Sequence, residues 1–175
     1  YGGTVKLANL AKKMGVKKFI FISSQSIYGI SKNNEYLDEY KSKKNPVTAY
    51  AKSKMMSEKY LSKIKSKNFN VIFLRPSTVF GASPRLRTDI MLNNFLLNAH
   101  YHKKISIVSD GLPWRPILHV QDLCKVIKNL IDKNYKNING KSFNIGLRGG
   151  NYRVIDLAIK VLKQLKNCKI EIINS

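Results

Sequence analysis

The sequence is poor in cysteine and in acidic residues, and it has no long apolar run. Cys124 and Cys168 have no C-x-x-C motif or histidine at metal-binding spacing, so a zinc site has no support. Both cysteines are expected to be reduced and buried. No segment approaches the roughly 20 apolar residues of a membrane span, and no signal peptide opens the chain. These absences predict a cytoplasmic protein with no membrane partner and no bound metal.

The shortage of acidic residues leaves a large positive charge. The chain has 32 lysine and arginine residues against 10 aspartate and glutamate residues, a formal net charge of +22. Such a surplus attracts polyanions, so a basic nucleic-acid-binding module is one hypothesis. The lysines are scattered, however, and the densest run, residues 41–44, holds only three of them. The scatter favours a solvated Lys- and Asn-rich surface, and a phosphorylated small molecule remains an alternative partner.

The chain alternates between helical and strand patterns. Apolar residues at helical spacing predict an amphipathic helix over 4–14, closed by Gly15. The apolar run 16–22 predicts a buried parallel strand that ends in the small polar residues 23–29. A polar loop is expected over 30–46. The length of 175 residues permits one sizeable domain or parts of two.

A second strand follows a helix at the spacing of a βαβ unit. The helix begins after Pro46 and runs to about residue 64, and residues 70–75 form a second buried strand that opens into a loop over 76–81. Parallel strands joined in this way make a right-handed crossover, so the loops after both strands should leave the same edge of the sheet. Ligands bind at that edge in open α/β sheets.

The rest of the chain predicts shorter elements. Residues 83–87 are an irregular basic connection, and Thr88 with Asp89 is expected to cap a helix that ends near Tyr101. The further elements are a strand over 105–108, a helix over 121–133, a strand over 142–145, a turn at 148–150, a helix over 153–166 and a strand over 170–173.

Tyr50 and Lys54 stand four residues apart near the start of the helix after Pro46. Residues at this spacing lie on one helical face. An ammonium close to a phenol favours the phenolate, which makes the phenol useful for general acid–base catalysis near neutral pH. In a lysine-rich chain the same spacing also arises by chance on a solvated helix face. The spacing alone is therefore weak evidence for catalysis, and the neighbouring motifs have to be considered with it.

Five segments together resemble one known family. They are FISSQSIYG, PVTAYAKSK, LRPSTVFG, WRPILHVQD and FNIG, in this order over nearly the whole chain. The set resembles the NAD-dependent epimerase/dehydratase family of the extended short-chain dehydrogenase/reductase superfamily, whose members act on nucleotide sugars. The resemblance implies an α/β fold, with a partial Rossmann-like parallel sheet with helices and a smaller mixed substrate-binding subdomain. It places 1–81 and about 114–134 in the dinucleotide-binding domain, and about 82–113 and 135–175 in the substrate-binding subdomain.

The resemblance also implies roles for particular residues. Tyr50 matches the catalytic tyrosine of the family, and Lys54 matches the lysine that lowers the tyrosine's pKa and binds the nicotinamide ribose. Ser24 matches the Ser or Thr that hydrogen-bonds the reacting sugar hydroxyl. The predicted cofactor-binding residues are Tyr50, Lys54, Ser23, Pro76 and Ser77.

Substrate contacts are expected from residues that follow the strands and from two arginines. Arg115 matches an arginine that commonly contacts the substrate diphosphate, a place that suits a charge-assisted fork. Thr78 stands where many relatives have an asparagine that contacts the substrate. Arg85, near a helix start, is either a phosphate contact or an ordinary surface arginine. The predicted substrate-binding residues are Ser24, Ser26, Thr78, Arg85 and Arg115.

The residues after Ser24 favour one branch of the family. Related 4,6-dehydratases usually carry an Asp-Glu pair here for the removal of water, whereas this chain has Gln25 and Ser26. Neither side chain shuttles a proton as a carboxyl group does. We therefore expect an epimerase-type oxidoreductase that works through a keto-sugar and a nicotinamide cofactor, with a dehydratase or a reductase as the alternative.

The Gly-rich turn that a dinucleotide-binding unit needs after its first strand is not in the sequence. Gly2 and Gly3 lie within the first helical pattern, and Gly149 and Gly150 come far too late. The expected cofactor is NAD, and NADP stays open because the residue that selects between them is missing as well. We interpret the chain as an internal fragment that binds dinucleotide poorly alone, from an enzyme expected to be a homodimer. A non-catalytic truncated product is the other hypothesis.

Overall fold

The computed structural model describes residues 1–30, 36–165 and 167–173. Part of the loop predicted at 30–46, namely 31–35, lies outside the described residues. In chain order the elements are α1 (Gly2–Lys13), β1 (Lys18–Ile22), a 3-10 helix (Gln25–Tyr28), α2 (Ala49–Ile64), β2 (Asn70–Pro76), β3 (Thr78–Phe80), α3 (Met91–His102), β4 (Lys104–Ile107), β5 (Trp114–His119), α4 (Val120–Asp132), β6 (Ser142–Ile145), β7 (Asn151–Arg153), α5 (Val154–Gln164) and β8 (Lys169–Ile172). Within the described part, no helix has the length and apolar character needed to cross a membrane.

The chain divides into two compact units. The first contains residues 1–77 and 125–145, and the second contains 78–124 and 146–175. The chain therefore passes between units next to Ser77, within α4 and after β6. The assignment of the first unit to the dinucleotide and the second to the substrate stays a prediction.

The first unit is built on a parallel three-stranded sheet in the order β1-β2-β6. Ile22 at the end of β1 lies beside Leu74, and Pro76 at the end of β2 lies beside Ile145. The strands consequently end at the same edge, and α2 connects β1 to β2. The predicted α/β class with a parallel sheet is confirmed.

Helices cover both faces of this sheet because successive strand side chains point to opposite faces. Val71 and Phe73 of β2 share a buried cluster with Ala8 of α1 and Leu61 of α2. The alternate residues of β2, Ile72 and Leu74, pack with the apolar stripe of α4, as listed here: Val126, Ile127 and Leu130. A central strand buried on both sides explains the uninterrupted apolar run in the sequence.

Helix α2 begins after an N-cap residue whose side chain binds a free N–H group of the first turn. The Thr48 hydroxyl accepts a hydrogen bond from the Ala51 amide at 3.1 Å, an N-cap that follows Pro46 closely. The cap fixes the first turn of the helix, and Tyr50 lies in that turn.

The second unit contains two small sheets and its own core. Its sheets have the orders β3-β5-β7 and β4-β8; β3 pairs with β5 and β4 pairs with β8 in parallel, and β5 pairs with β7 antiparallel. Its buried core includes residues from one strand and two helices: Ile105 and Ile107 of β4, Phe95 of α3, and Leu157 and Val161 of α5. This mixture of parallel and antiparallel pairs matches the expectation of a smaller mixed subdomain.

Two predictions for this region are wrong, and one strand was not predicted. The segment 76–81 is not only a loop, because Thr78–Phe80 forms β3, which pairs with β5. A further strand, β7, lies between the turn at 148–150 and α5. Thr88 and Asp89 do not cap α3, which begins at Met91 with Ile90 at the N-cap position and no side-chain cap. The Asp89 carboxylate instead binds the Arg87 guanidinium.

The prediction that both cysteines are buried is also wrong. Cys124 is exposed on α4, and Cys168 is partly exposed just before β8. Helix α4 turns its apolar stripe to the sheet, and Cys124 is not part of that stripe.

Candidate active site

Two serines occupy the points where β1 and β2 end. The Ser23 amide donates to the Leu74 carbonyl at 2.6 Å, and the Ser77 amide donates to the Ile145 carbonyl at 2.9 Å, so both residues extend the sheet. Their side chains are buried, yet neither hydroxyl has a hydrogen-bond partner among the described residues. Buried hydroxyls are normally paired, because an unpaired one loses its bonds to water without replacement. Ser23 and Ser77 thus offer two unused hydrogen-bonding groups to a ligand.

The loop after β1 brings a second pair of hydroxyls together. Ser24 Oγ accepts from the Ser26 amide at 3.1 Å and from Ser26 Oγ at 2.9 Å. With two hydrogens directed at its lone pairs, the Ser24 oxygen can still donate its own hydrogen. The hydroxyl hydrogen of Ser24 is therefore left over from these two bonds.

Gly29 fixes the far end of this loop. Its φ is +80°, and a Cβ built on it would lie 2.2 Å from the Asn45 carbonyl oxygen. A side chain at this position meets both an unfavourable backbone conformation and a backbone atom that cannot swing away. The close approach holds the loop against the segment that leads into α2.

Lys54 of α2 reaches back to the end of β1. Its Nζ donates to the Ile22 carbonyl at 2.7 Å and lies 5.0 Å from the centre of the Phe21 ring and 5.5 Å from the centre of the Tyr50 ring. Burial lowers the pKa of Lys54 below its usual value. Tyr50 itself is 56% exposed. The α2 face thus places an anchored cation beside an accessible phenol.

A buried arginine ties the same helix to the sheet. All five N–H donors of Arg75 are used: Nε and Nη2 bind the two carboxylate oxygens of Glu58 at 2.9 and 2.7 Å, Nη2 also binds Ser142 Oγ at 3.0 Å, and Nη1 binds Tyr28 Oη at 2.8 Å and the Glu39 carbonyl at 3.1 Å. Glu58 lies one helical turn after Lys54. The network therefore fixes the helix face that carries Lys54.

The network continues to the segment that precedes α2. Tyr28 Oη donates to Asn144 Oδ1 at 2.8 Å, and the amide of Asn144 donates to Glu39 Oε1 at 2.8 Å. The side chain of Asn144 also donates to the Leu37 carbonyl at 2.9 Å. Burial is the main reason that the pKa of Tyr28 is raised, with the Arg75 charge acting in the opposite direction. The bonds attach residues 37–39 to β6 and to the loop after β1.

Sequence reasoning missed this network. Two features of the sequence could have indicated it. Arg75 lies inside an apolar strand, and Glu58 follows Tyr50 by eight residues on the same helical face. A buried charge in a core strand requires an opposite charge close by.

The predicted site residues fall in both units. The first unit holds Ser23, Ser24, Ser26, Tyr50, Lys54, Pro76 and Ser77. The second holds Thr78, Arg85 and Arg115. Pro76 is buried as the last residue of β2, Thr78 is partly buried in β3, and Arg85 is exposed in the connection before α3. Arg115 is exposed on β5, where its Nη1 donates to the Trp114 carbonyl at 2.9 Å.

The described part of the chain holds no group of three or more His, Cys, Asp or Glu residues placed to bind a metal ion. The first unit brings the hydroxyls of Ser23 and Ser77 and the ammonium of Lys54 to the ends of β1 and β2.

Comparison with known proteins gives consistent matches. The model of the NAD dependent epimerase/dehydratase family matches residues 1–146. The chain is 29% identical over 170 residues to mouse dTDP-D-glucose 4,6-dehydratase, covering 97% of this chain and 46% of that protein. It is 29% identical over 182 residues to UDP-glucuronate 4-epimerase of Thermodesulfobacterium geofontis, covering 98% and 51% respectively.

A solved structure agrees with the fold described above. The dTDP-glucose 4,6-dehydratase of Bacillus anthracis, in complex with NAD, superposes with a TM-score of 0.81 at 26% identity, covering 99% of this chain and 54% of that one. The chain spans about half the length of the relatives it matches.

Proposed function

The chain belongs to the NAD dependent epimerase/dehydratase family, and from this premise we propose that it carries the proton-transfer part of a nucleotide-sugar oxidoreductase. One observation supports the proposal most directly. Lys54 is anchored to the end of β1 and lies beside the ring of Tyr50, next to the loop that presents Ser24. The relatives include both dehydratases and epimerases. Membership of the family therefore does not decide the reaction, which is part of the proposal.

The residues at the sheet edge fit the nicotinamide end of NAD. The unpaired hydroxyls of Ser23 and Ser77 provide hydrogen-bonding groups there, and the Lys54 ammonium suits a ribose hydroxyl. Pro76 would form part of the pocket wall, and Tyr50 would lie beside the ribose. When bound, NAD supplies a reversible acceptor for the hydride that leaves the sugar carbon. NADP remains the alternative cofactor.

Tyr50 is the proposed base. As a phenolate it would take the proton from a sugar hydroxyl, and the exposed position of the phenol allows a substrate to reach it. Ser24 would donate its free hydrogen to the same sugar oxygen and hold it in place. Lys54 would place its ammonium group beside the Tyr50 ring during this transfer, since its Nζ lies 5.5 Å from the ring centre.

We assign substrate binding chiefly to the second unit. Arg115 and Arg85 are exposed guanidinium groups suited to a diphosphate, and Thr78 would contact the sugar. Ser26 would support Ser24 through its hydrogen bond. The substrate class that we propose is a nucleotide sugar, whose negative charge complements the positive charge of the chain.

Within this class we favour an epimerase-type reaction through a keto-sugar. Gln25 donates to the Ile145 carbonyl at 3.5 Å, and Ser26 donates to Ser24, so both side chains are engaged in local hydrogen bonds. Neither provides the carboxyl group that an acid–base elimination of water uses. The second candidate is a dehydratase, which the match to mouse dTDP-D-glucose 4,6-dehydratase favours.

The test uses the full gene product that carries these residues. It is incubated with NAD and a panel of UDP- and dTDP-hexoses, and the sugars are analysed by mass spectrometry and NMR. An inverted sugar carbon at unchanged mass indicates an epimerase, whereas the loss of one water indicates a dehydratase. Net accumulation of reduced nicotinamide indicates a simple dehydrogenase.

Tyr50→Phe should reduce turnover by at least about a hundredfold, the usual contribution of a general base. Tyr101→Phe, which removes an exposed phenol from the second unit, is the matched control and should keep the parent rate. Turnover of Tyr50→Phe within severalfold of the parent would remove Tyr50 from the mechanism.

A further inference from the structure

We propose that a cleft in the first unit binds a phosphorylated small molecule, at a site separate from the ends of β1 and β2. The cleft lies between the second half of α2, residues 39–44 and the start of β6, and its volume is about 550 Å³. Pockets for small ligands commonly have this size. Among the described residues that line it, none is assigned above to catalysis or to the cofactor. Its charged lining residues are Glu39, Lys44, Glu58, Lys59 and Lys63.

Three lysines supply the positive charge of the cleft. Lys59 and Lys63 lie one helical turn apart on α2, and Lys44 lines the cleft from the segment before the helix. Among the described residues, the three ammonium groups have no hydrogen-bond or ion-pair partner. Like charges one turn apart on a helix repel each other. A bound anion would remove this repulsion and give all three lysines a partner.

The two glutamates of the cleft do not cancel this charge. Both carboxylate oxygens of Glu58 are bound to Arg75, at 2.9 and 2.7 Å, so this buried pair is neutral as a whole. Glu39 Oε1 accepts from the Asn144 amide at 2.8 Å. With Glu58 balanced by Arg75, three lysines stand against one glutamate. The lining of the cleft therefore carries a net positive charge.

Lys44 lies close enough to the buried ion pair for its pKa to respond to both charges. Partial burial is the main reason that the pKa of Lys44 is lowered, the Arg75 charge lowers it further, and the Glu58 charge acts in the opposite direction. An opposite charge beside an ammonium favours its protonated form. A bound phosphate group would therefore offset the effects of burial and of Arg75 on Lys44.

The wall that precedes α2 in the chain is fixed before any ligand binds. The Asp38 carboxylate accepts from the amides of Tyr40 and Lys41 at 2.8 and 2.7 Å. The Glu39 carbonyl accepts from Arg75 at 3.1 Å, which ties the turn to the sheet. A preorganised site loses less conformational freedom on binding than a mobile one.

The arrangement of the lysines suits a compact anion with more than one negative charge. Lys141 adds a fourth ammonium near the cleft, since its Nζ lies 5.6 Å from the ring centre of Tyr40, which lines the cleft. Lysines bind phosphate as point charges and not as a planar fork. Several of them around one concave site favour a phosphorylated small molecule, whereas a polynucleotide requires a basic stripe along a whole face.

The binding test uses pyrophosphate as the probe and isothermal titration calorimetry as the measurement. The 175-residue chain carries Arg85→Ala and Arg115→Ala, so that the diphosphate contacts proposed above do not contribute. We expect saturable binding of pyrophosphate in this background and weaker binding of orthophosphate. No binding of pyrophosphate would overturn the proposal, and it would leave the proposed function as it stands.

Charge-matched variants in the same background locate the site. Lys59→Gln with Lys63→Gln should weaken pyrophosphate binding at least about tenfold, because two of the phosphate contacts are lost. Lys6→Gln with Lys52→Gln removes the same charge from exposed lysines outside the cleft and should keep the affinity. Circular dichroism checks that both variants are folded. Equal losses in the two variants would show that the probe responds to the net charge of the chain, and the cleft would be rejected.

A single-stranded RNA oligonucleotide distinguishes the other polyanion. Its affinity is measured for the same background and for the variant that carries Lys59→Gln and Lys63→Gln. A loss of affinity no larger than the loss for pyrophosphate supports a site for small anions. A larger loss for the oligonucleotide would assign the cleft to a nucleic-acid-binding surface, and the proposal would fail.

Discussion

Arg75 and Glu58 form a buried ion pair that joins strand β2 to helix α2 through two parallel hydrogen bonds of 2.9 and 2.7 Å. The glutamate lies one helical turn after Lys54, on the same face as Tyr50. The pair therefore sets how the candidate catalytic face of α2 meets the sheet. Loss of either charge should destabilise the folded state strongly, because the remaining ion would be buried without its partner.

Removing one member of this pair should destabilise the first unit. Arg75→Met leaves the Glu58 carboxylate buried without its partner, and Glu58→Met leaves the guanidinium of Arg75 buried without its partner. Each single variant should lower the free energy of unfolding by about 3–5 kcal/mol, measured by urea denaturation followed by circular dichroism. The double variant Arg75→Met with Glu58→Met should lose clearly less than the sum of the two single losses.

The matched control is the exposed pair Lys128 and Asp132 on α4. Asp132→Asn should change the unfolding free energy little, since exposed ion pairs are screened by water and salt. Equal effects at the buried and exposed pairs would contradict the role given to Arg75.

Lys54 should make stability depend on alkaline pH. Burial lowers its pKa from the usual 10.5, so the folded protein releases this proton at a lower pH than the unfolded chain does. Between the lowered pKa and 10.5 the unfolded state binds more protons, and the free energy of unfolding should rise with pH from this group. Lys54→Met should lack that rise in urea titrations at a series of alkaline pH values, whereas Lys52→Met, an exposed lysine of the same helix, should keep it. An identical pH dependence in wild type and Lys54→Met would refute the link.

Substitution by alanine should be tolerated at the buried serines Ser23 and Ser77 and should destabilise the fold at the buried Ser142. The hydroxyl groups of Ser23 and Ser77 have no hydrogen-bond partner among the described residues. Without ligand, Ser23→Ala and Ser77→Ala should therefore leave the free energy of unfolding unchanged or raise it slightly. Ser142→Ala is the control, because Ser142 Oγ accepts from Arg75 and its loss should cost about 1–3 kcal/mol. Thermal unfolding of the three variants measures the contrast. A loss at Ser23 or Ser77 as large as at Ser142 would show that these hydroxyls are satisfied in solution.

Gly29 should tolerate alanine much less well than Gly15. Both have positive φ, +80° and +76°, but a Cβ at Gly29 meets the Asn45 carbonyl oxygen at 2.2 Å, whereas nothing lies within 4 Å at Gly15. Gly15→Ala should cost about 1 kcal/mol for the backbone conformation alone. Gly29→Ala should cost at least about 2 kcal/mol more, because strain at the loop adds to it. Denaturant midpoints provide the comparison, and similar losses at both glycines would mean that the loop relaxes freely.

The parallel sheet and its helices were predictable because their signals are long. Strand β2 is apolar on both faces, and the helical spacing of α2, α4 and α5 extends over at least three turns. The strands β3 and β7 have three residues each, too few for a periodic pattern, and their pairing with β5 depends on tertiary contacts. The cap predicted for α3 is wrong because Ile90 takes the N-cap position, while the Asp89 carboxylate binds Arg87.

The candidate site was predictable only in part. The spacing of Tyr50 and Lys54 and the position of Ser24 after a strand were visible in the sequence, and their roles stay predictions. The bonds of Arg75 to Tyr28, Glu39 and Ser142 join residues that are 36 to 67 positions apart. No local pattern reports such a network, although a charged residue within an apolar strand indicates that one must exist.

The complete use of the Arg75 donors has a consequence for spectroscopy. With bonds to every N–H, rotation about the Nε–Cζ bond is blocked, and water reaches the guanidinium hydrogens only when the surrounding segments separate. The Arg75 side chain should therefore give resolved, slowly exchanging proton signals, unlike the exposed arginines. Their exchange rate reports how often the helix that bears Tyr50 and Lys54 detaches from the sheet.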